Sequence, residues 1–216
     1  MFEVLSKFAV VISLASALAY GTAFTVMPVG FLRSLSKTLA VALLALVSYV
    51  QGSPILLTGA LALGSMGDYF LSRQGDKAFL CGLGAFAVAH ILYIFLLVDL
   101  GGFVALGEPL AVALLALAVG MATMLFFKAG NLKYPVVFYV AIIATMGLAA
   151  LGLPETRSVA LVAAVLFIIS DTVLAFELFL LQEKSAARRV TPYVIWVTYF
   201  AAQFLFFWDL GGLSTS

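Results

Sequence analysis

The sequence predicts an all-α, polytopic integral membrane protein, with about eight transmembrane helices in one bundle that forms a single domain over residues 1–216. Hydrophobic residues make up 65% of the chain and the mean hydropathy is +1.21. No soluble domain of this length has enough interior to bury so many apolar side chains. The apolar residues also fall into segments long enough to cross a bilayer, separated by short polar or Gly/Pro joints. Lipid must therefore act as the solvent for most of the surface.

The first apolar segment has two interpretations. Lys7 and the apolar run from Phe8 to Leu18 resemble a signal peptide, and small residues follow where cleavage would occur. Glu3 weakens the positive charge that a signal peptide carries at its start. We therefore predict a retained first helix.

The remaining helices follow from the joints between them. Gly21 to Arg33 is the longest joint, and the next, Gln51 to Pro54, is a compact turn. Similar compact joints, each polar or marked by Gly or Pro, separate the later segments. The eight predicted helices span about 3–20, 34–50, 54–72, 78–98, 109–127, 133–151, 158–181 and 191–210.

Basic residues are distributed unevenly among the joints. Nine of the 11 lie after the first, third, fifth and seventh helices: Arg33, Lys37, Arg73, Lys77, Lys128, Lys133, Lys184, Arg188 and Arg189. The positive-inside rule then places these joints in the cytoplasm and both termini on the non-cytoplasmic side of the inner or plasma membrane.

Two acidic residues interrupt apolar segments. Asp68 lies near the end of the third helix, and Asp171 lies within the seventh. A carboxylate near the middle of a membrane helix costs roughly 2.5–3.5 kcal/mol on insertion scales, so packing alone would not favour it. We therefore predict a site inside the bundle in which a carboxyl group carries a proton.

Other polar residues lie at depths from which they can reach this site. They have structural interpretations too: Lys37 as an interfacial anchor, Glu177 as a residue reaching the inner interface, and His90 and Gln203 as hydrogen-bonding links between helices. The supporting residues predicted on these grounds are Lys37, His90, Tyr93, Glu177, Tyr199 and Gln203. The Phe-rich end of the last helix is predicted to face lipid or the interface, through Phe200, Phe204, Phe206, Phe207 and Trp208.

Composition also excludes several classes of function. The net charge of +1, with no dense basic run, argues against nucleic-acid binding. A single cysteine, Cys81, excludes an intrachain disulfide, and a single histidine argues against a His-rich zinc site. We expect no metal and no organic cofactor. Membrane lipids are the expected surroundings, and the oligomeric state is not predicted.

Three strings resemble one known family. GALALGSMGDYFL with FLCGLGAFAVAHILYIF resembles the GD…H-x-x-Y block of the YhhN family of integral membrane lysoplasmalogenases. AAVLFIISDTVLAF is similar to the second block, with its Ser-Asp pair, and TYFAAQFLFF to the last helix. One departure is Ser36-Lys37-Thr38, where the family often has Lys-Pro.

The resemblance implies a hydrolase that cuts the vinyl ether bond of a lysophospholipid, with Asp68 and Asp171 as the catalytic pair. The products would be a fatty aldehyde and glycerophosphocholine or glycerophosphoethanolamine. Vinyl ether hydrolysis needs a protonated acid and a carboxylate, as glycosidases do for a similar cation. The residues by themselves also fit a small proton-coupled transporter, or a lipid-binding membrane protein without turnover.

Overall fold

A computed structural model describes residues 2–211, and the regular secondary structure of this part of the chain is all helical, with eight α-helices. They are α1 (Phe2–Ala19), α2 (Phe31–Val50), α3 (Ile55–Leu71), α4 (Asp76–Gly101), α5 (Pro109–Lys128), α6 (Lys133–Leu151), α7 (Ser158–Phe179) and α8 (Thr191–Leu210). Seven of the described helices are long and apolar enough to cross a membrane, and α3, with 17 residues, is at the lower limit of length. The prediction of an all-helical, polytopic membrane protein is confirmed.

Some predicted boundaries differ from the observed helices. α2 begins three residues earlier than predicted, at Phe31, because Gly30 is extended and its carbonyl accepts the first helical hydrogen bond. α4 is longer than predicted at both ends, and α7 ends at Phe179 rather than at residue 181. The long first joint is also partly helical, because Tyr20–Phe24 forms a π-helical turn that continues α1.

The π-helical turn packs against the bundle through specific bonds. Thr25 donates its hydroxyl to the carbonyl of Tyr20 at 2.7 Å, and the Arg33 Nε donates to the carbonyl of Phe24 at 3.1 Å. Trp196 of α8 donates its indole N–H to the carbonyl of Ala17 at 2.9 Å. These contacts fix Tyr20, which is 5% exposed, against the interior of the bundle.

The helices enclose a space near one end of the bundle. α3 packs between α2 and α4, α4 packs on α6, and α8 packs on α7 and also contacts α2 and α3. Consecutive helices run in opposite directions, so the joints with most of the basic residues share one end, here called the basic end. Asp68, Asp171 and Glu177 all lie in the half of their helices nearest to it.

The prediction for the Phe-rich end of α8 is wrong for two residues. Phe206 and Phe207 are both 0% exposed, whereas Trp208 is 44% exposed. Phe206 stacks on Tyr93 of α4 with ring centroids 4.3 Å apart. One face of α8 is therefore an interior face along its whole length.

Candidate functional site

A cavity of about 590 Å³ opens at the basic end and extends into the bundle between the seven helices α2 to α8. Both Asp68 and Asp171 line it, and so do Lys37, Glu177 and Tyr199. His90, Tyr93 and Gln203 are not in its wall but lie directly behind it, each fully buried. Within the described residues, the eight predicted site positions thus surround or support one region.

Asp68 is held by a cation and a phenol. Its side chain is 1% exposed, and its Oδ1 lies 3.2 Å from the Nζ of Lys37, which is itself only 16% exposed. Tyr199 donates its hydroxyl to the Oδ2 of Asp68 at 2.7 Å. Lys37 therefore supplies a counter-charge inside the bundle and does not extend to the interface as an anchor would.

A chain of hydrogen bonds continues from Tyr199 into the interior. The Gln203 amide donates to the Tyr199 hydroxyl at 3.3 Å, and the Tyr93 hydroxyl donates to the Gln203 Oε1 at 2.6 Å. Because each of these groups is buried and partnered, the chain fixes the position of the Tyr199 hydroxyl beside Asp68.

Glycines on α3 make this arrangement possible. A Cβ placed on Gly64 would overlap the amide of Gln203 and lie 3.4 Å from the Tyr199 hydroxyl. A Cβ on Gly67 would lie 2.5 Å from the ring of Phe86 on α4. The absence of side chains at these two positions allows α4 and α8 to approach α3 beside Asp68.

Asp171 has different neighbours. Tyr139 of α6 donates its hydroxyl to the Asp171 Oδ2 at 2.9 Å, and the Nε2 of His90 lies 3.6 Å from the same oxygen. The other ring nitrogen of His90, Nδ1, is 2.7 Å from the carbonyl of Phe86, so it must be the protonated one. In the neutral ring, Nε2 is therefore an acceptor facing Asp171, and no Lys or Arg of the described chain forms an ion pair with Asp171.

Glu177 lies apart from the two aspartates. Its carboxylate accepts a hydrogen bond from the Thr191 hydroxyl, and its carbonyl accepts one of 2.6 Å from Arg188. These contacts tie the end of α7 to the start of α8. Glu177 lines the cavity near its opening, nearer to the basic end than Asp171 is.

Two tyrosines of the cavity, Tyr20 and Tyr139, were not predicted from the sequence as site residues. Tyr139 contacts Asp171, and Tyr20 lines the part of the cavity nearest to the basic end, as Arg33 and Arg73 do. Tyr139 is the seventh residue of the apolar helix α6, where residue type alone does not mark it as part of a site. Among residues 2–211, no three His, Cys, Asp or Glu side chains are grouped so that they could hold a metal ion.

Comparison with known proteins identifies the family. A sequence model described as the YhhN family matches residues 32–210. Two proteins named Lysoplasmalogenase, from Mycobacterium bovis and Mycobacterium tuberculosis, are each 32% identical to this chain over 155 residues. The alignment covers 69% of this chain and 58% of each relative, so the chain matches less than two thirds of their length. No solved structure matches the chain. With its three motifs in order and a family match from α2 to the end of α8, the chain belongs to the YhhN family.

Proposed function

We propose that this protein is a membrane hydrolase that cleaves the vinyl ether bond of lysoplasmalogens. The products are a fatty aldehyde and glycerophosphocholine or glycerophosphoethanolamine. The observation that carries the proposal is that Asp68 and Asp171, on different helices, line one cavity with different partners. Membership of the YhhN family and the name shared by the two mycobacterial relatives support the same reaction.

The partners of the two carboxyl groups suggest how they divide the work. Asp68 has the Lys37 ammonium at 3.2 Å, which suits a carboxylate that accepts a proton from water. Asp171 has a phenol and an imidazole as neighbours and no ammonium or guanidinium, which suits a group that enters the reaction protonated. We therefore assign Asp171 as the acid and Asp68 as the base.

The reaction begins with the transfer of a proton from Asp171 to the β-carbon of the vinyl ether. The double bond becomes an oxocarbenium ion, whose positive charge the Asp68 and Asp171 carboxylates stabilise. Water then adds to the α-carbon as Asp68 takes one of its protons, giving a hemiacetal. Two carboxyl groups divide acid and base work in this way in glycosidases, which have a similar transition state.

Collapse of the hemiacetal returns both carboxyl groups to their starting protonation states. Asp68 returns its proton to the ether oxygen of the departing glycerol, and the hemiacetal hydroxyl gives its proton to Asp171. One water is consumed, the carbon–oxygen bond breaks and no electron acceptor is needed. Each proton in this sequence moves between substrate, water and the two aspartates.

The surrounding residues orient the reactants. Tyr199, fixed by Gln203 and Tyr93, holds one oxygen of Asp68, so that Oδ1 faces Lys37. Tyr139 and His90 hold Asp171 from two other helices. Arg33 and Arg73, at the cavity opening, are suited to the phosphate of the head group, because a guanidinium group is always charged and has five N–H donors. Of these donors, Arg33 uses two on the carbonyls of Phe24 and Thr25.

The same proposal places the opening at the cytoplasmic face of the inner or plasma membrane. Nine of the 11 basic residues lie in the joints at that end or in the ends of the helices that flank them. A lysophospholipid in the inner leaflet then has its phosphate level with Arg33 and Arg73 and its chain directed into the bundle.

Isotope incorporation tests the chemistry. Purified protein in D₂O, given a lysoplasmalogen, is expected to release an aldehyde with one deuterium on the carbon next to the carbonyl, because β-carbon protonation delivers one solvent hydrogen there. Mass spectrometry of the trapped aldehyde measures this. Release of aldehyde without that deuterium contradicts acid-initiated hydrolysis, and uptake driven by a pH gradient without any aldehyde favours a transporter.

A further inference from the structure

The cavity has an apolar limb that the proposed chemistry does not use. It extends from Asp171 away from the basic end, between α5, α6 and α7. On α5 its wall is formed by Leu114, Ala118 and Met121, which recur at helical spacing on one face. The seven-residue step from Leu114 to Met121 corresponds to about 10 Å along the helix axis. The limb is thus an apolar slot parallel to the helices.

A glycine marks the far end of this slot. Gly147 on α6 lies one turn beyond Ala144, which lines the cavity, and is not part of the cavity wall. A Cβ placed on Gly147 would lie 2.6 Å from the Leu114 Cδ2 and 3.0 Å from the Ile168 Cδ1. Side chains from α5 and α7 therefore both lie over the bare backbone of α6, where they form the end of the slot.

We propose that this slot binds the hydrocarbon chain of a single-chain phospholipid, and that Leu114, packed on Gly147, sets the longest chain that fits. The polar end of the cavity has the groups for a phosphate, in Arg33 and Arg73, and the opposite end has only apolar side chains. A total of about 590 Å³ is in the range of sites for one compact ligand, which argues against a lipid with two chains.

The proposal deepens the proposed reaction but can be tested without turnover. The proposal rests on the proposed reaction in one respect: the vinyl ether, at the head of the chain, would lie beside Asp171, where the slot begins. A lysophosphatidylcholine has the same phosphate and a single chain but an ester instead of a vinyl ether. It is therefore a ligand for the slot and not a substrate for vinyl ether hydrolysis.

The experiment compares three lysophosphatidylcholines, with octanoyl, decanoyl and dodecanoyl chains, binding to protein in nanodiscs. Trp196 lines the cavity, so tryptophan fluorescence reports the titration. Leu114→Ala should raise the affinity for the dodecanoyl lipid relative to the octanoyl lipid by about tenfold, since each further buried methylene strengthens binding several-fold. Leu114→Phe and Gly147→Ala, which fill the end of the slot, should shift the ratio in the opposite direction.

Leu110→Ala is the matched control, because Leu110 lies one turn away on α5, is 68% exposed and does not line the cavity. It should leave the ratio unchanged. An unchanged ratio in the Leu114 and Gly147 variants that bind lipid, or no binding of single-chain lipids by the unmodified protein, overturns the slot. Aldehyde release is measured in parallel on lysoplasmalogens. A shifted ratio without aldehyde supports the slot and refutes the reaction, whereas aldehyde with an unshifted ratio refutes only the slot.

Discussion

Asp68 and Lys37 form an ion pair of 3.2 Å in which both side chains are largely buried. The sequence singles out Asp68 by the cost of a carboxylate in an apolar helix, but it does not show which cation lies beside it. Lys37 precedes Asp68 by 31 positions on another helix, and the pairing depends on how α2 is rotated against α3. A lysine near a helix end has the same pattern whether it extends to the interface or turns inward.

Breaking this pair should destabilise the protein strongly. Lys37→Met leaves the Asp68 carboxylate without its counter-charge and is expected to lower the free energy of unfolding by about 3–5 kcal/mol. The double variant Lys37→Met, Asp68→Asn should recover most of that loss, because no unpaired charge remains. Denaturant unfolding in detergent measures both.

Lys7→Met is the control for loss of a lysine, since Lys7 pairs with Glu3 in an exposed position on α1. It should leave the unfolding midpoint unchanged. Equal stability of Lys37→Met and the unmodified protein would mean that the buried pair does not stabilise the bundle.

Tyr139 is a site residue that the sequence pattern does not identify. Its hydroxyl donates to Asp171 at 2.9 Å, yet in the sequence it is one aromatic residue in the apolar helix α6. Tyrosines are common at membrane interfaces as well as in interiors, so residue type alone does not separate the two positions. Tyr93 and Tyr199 could be predicted from the sequence, because each lies at helical spacing from a polar residue of the same helix, His90 or Gln203.

At the scale of the element, α3 is the helix whose sequence best predicts how its neighbours pack against it. Its small residues predict close approach by a neighbour, and α8 and α4 do approach at Gly64 and Gly67. The prediction for the Phe-rich end of α8 was wrong for Phe206 and Phe207, because a run of phenylalanines has no periodicity that distinguishes a buried face from a lipid-facing one. Phe206 and Phe207 are buried since that face of α8 packs inside the bundle.

A methyl group at Gly64 should disturb the position of Asp68 indirectly, through Gln203 and Tyr199. Gly64→Ala forces the Gln203 amide to move, which interrupts the Tyr93–Gln203–Tyr199 chain behind Asp68. We expect a loss of stability of about 1–3 kcal/mol from overpacking, together with reduced aldehyde release. Thermal unfolding and the aldehyde assay measure the two effects.

Gly84→Ala is the matched control, because Gly84 lies in α4 and a Cβ there meets no other atom within 4 Å. It should be neutral or slightly stabilising, since alanine favours helix over glycine. If both glycine variants behave alike, close packing at Gly64 does not position Gln203.

At the scale of the whole molecule, composition alone predicts a helical membrane bundle, and the family match agrees with the motifs found in the sequence. The cavity could not be predicted, because it is a space between seven helices that depends on their rotations and tilts. Polar residues indicated only its approximate depth. The apolar limb has no sequence signal, since its leucines resemble those that face lipid.

Orientation in the membrane can be tested by cysteine labelling. In a Cys81→Ser background, Glu155→Cys should react with an impermeant maleimide in intact cells, because the joint between α6 and α7 is expected outside. Lys184→Cys, in the basic joint between α7 and α8, should react only after permeabilisation. The reverse pattern would place the cavity opening on the outer face and contradict the proposed orientation.

Aldehyde release by Asp68→Asn and Asp171→Asn variants tests the central proposal most directly. Because acid and base groups typically contribute 10²–10⁴-fold, each variant should lose roughly a hundredfold or more in kcat. Asp99→Asn, an exposed carboxyl at the other end of the bundle, should retain full activity, and unfolding curves establish that each variant is folded. A folded Asp68→Asn or Asp171→Asn variant that releases aldehyde as fast as the unmodified protein would contradict the two-aspartate mechanism.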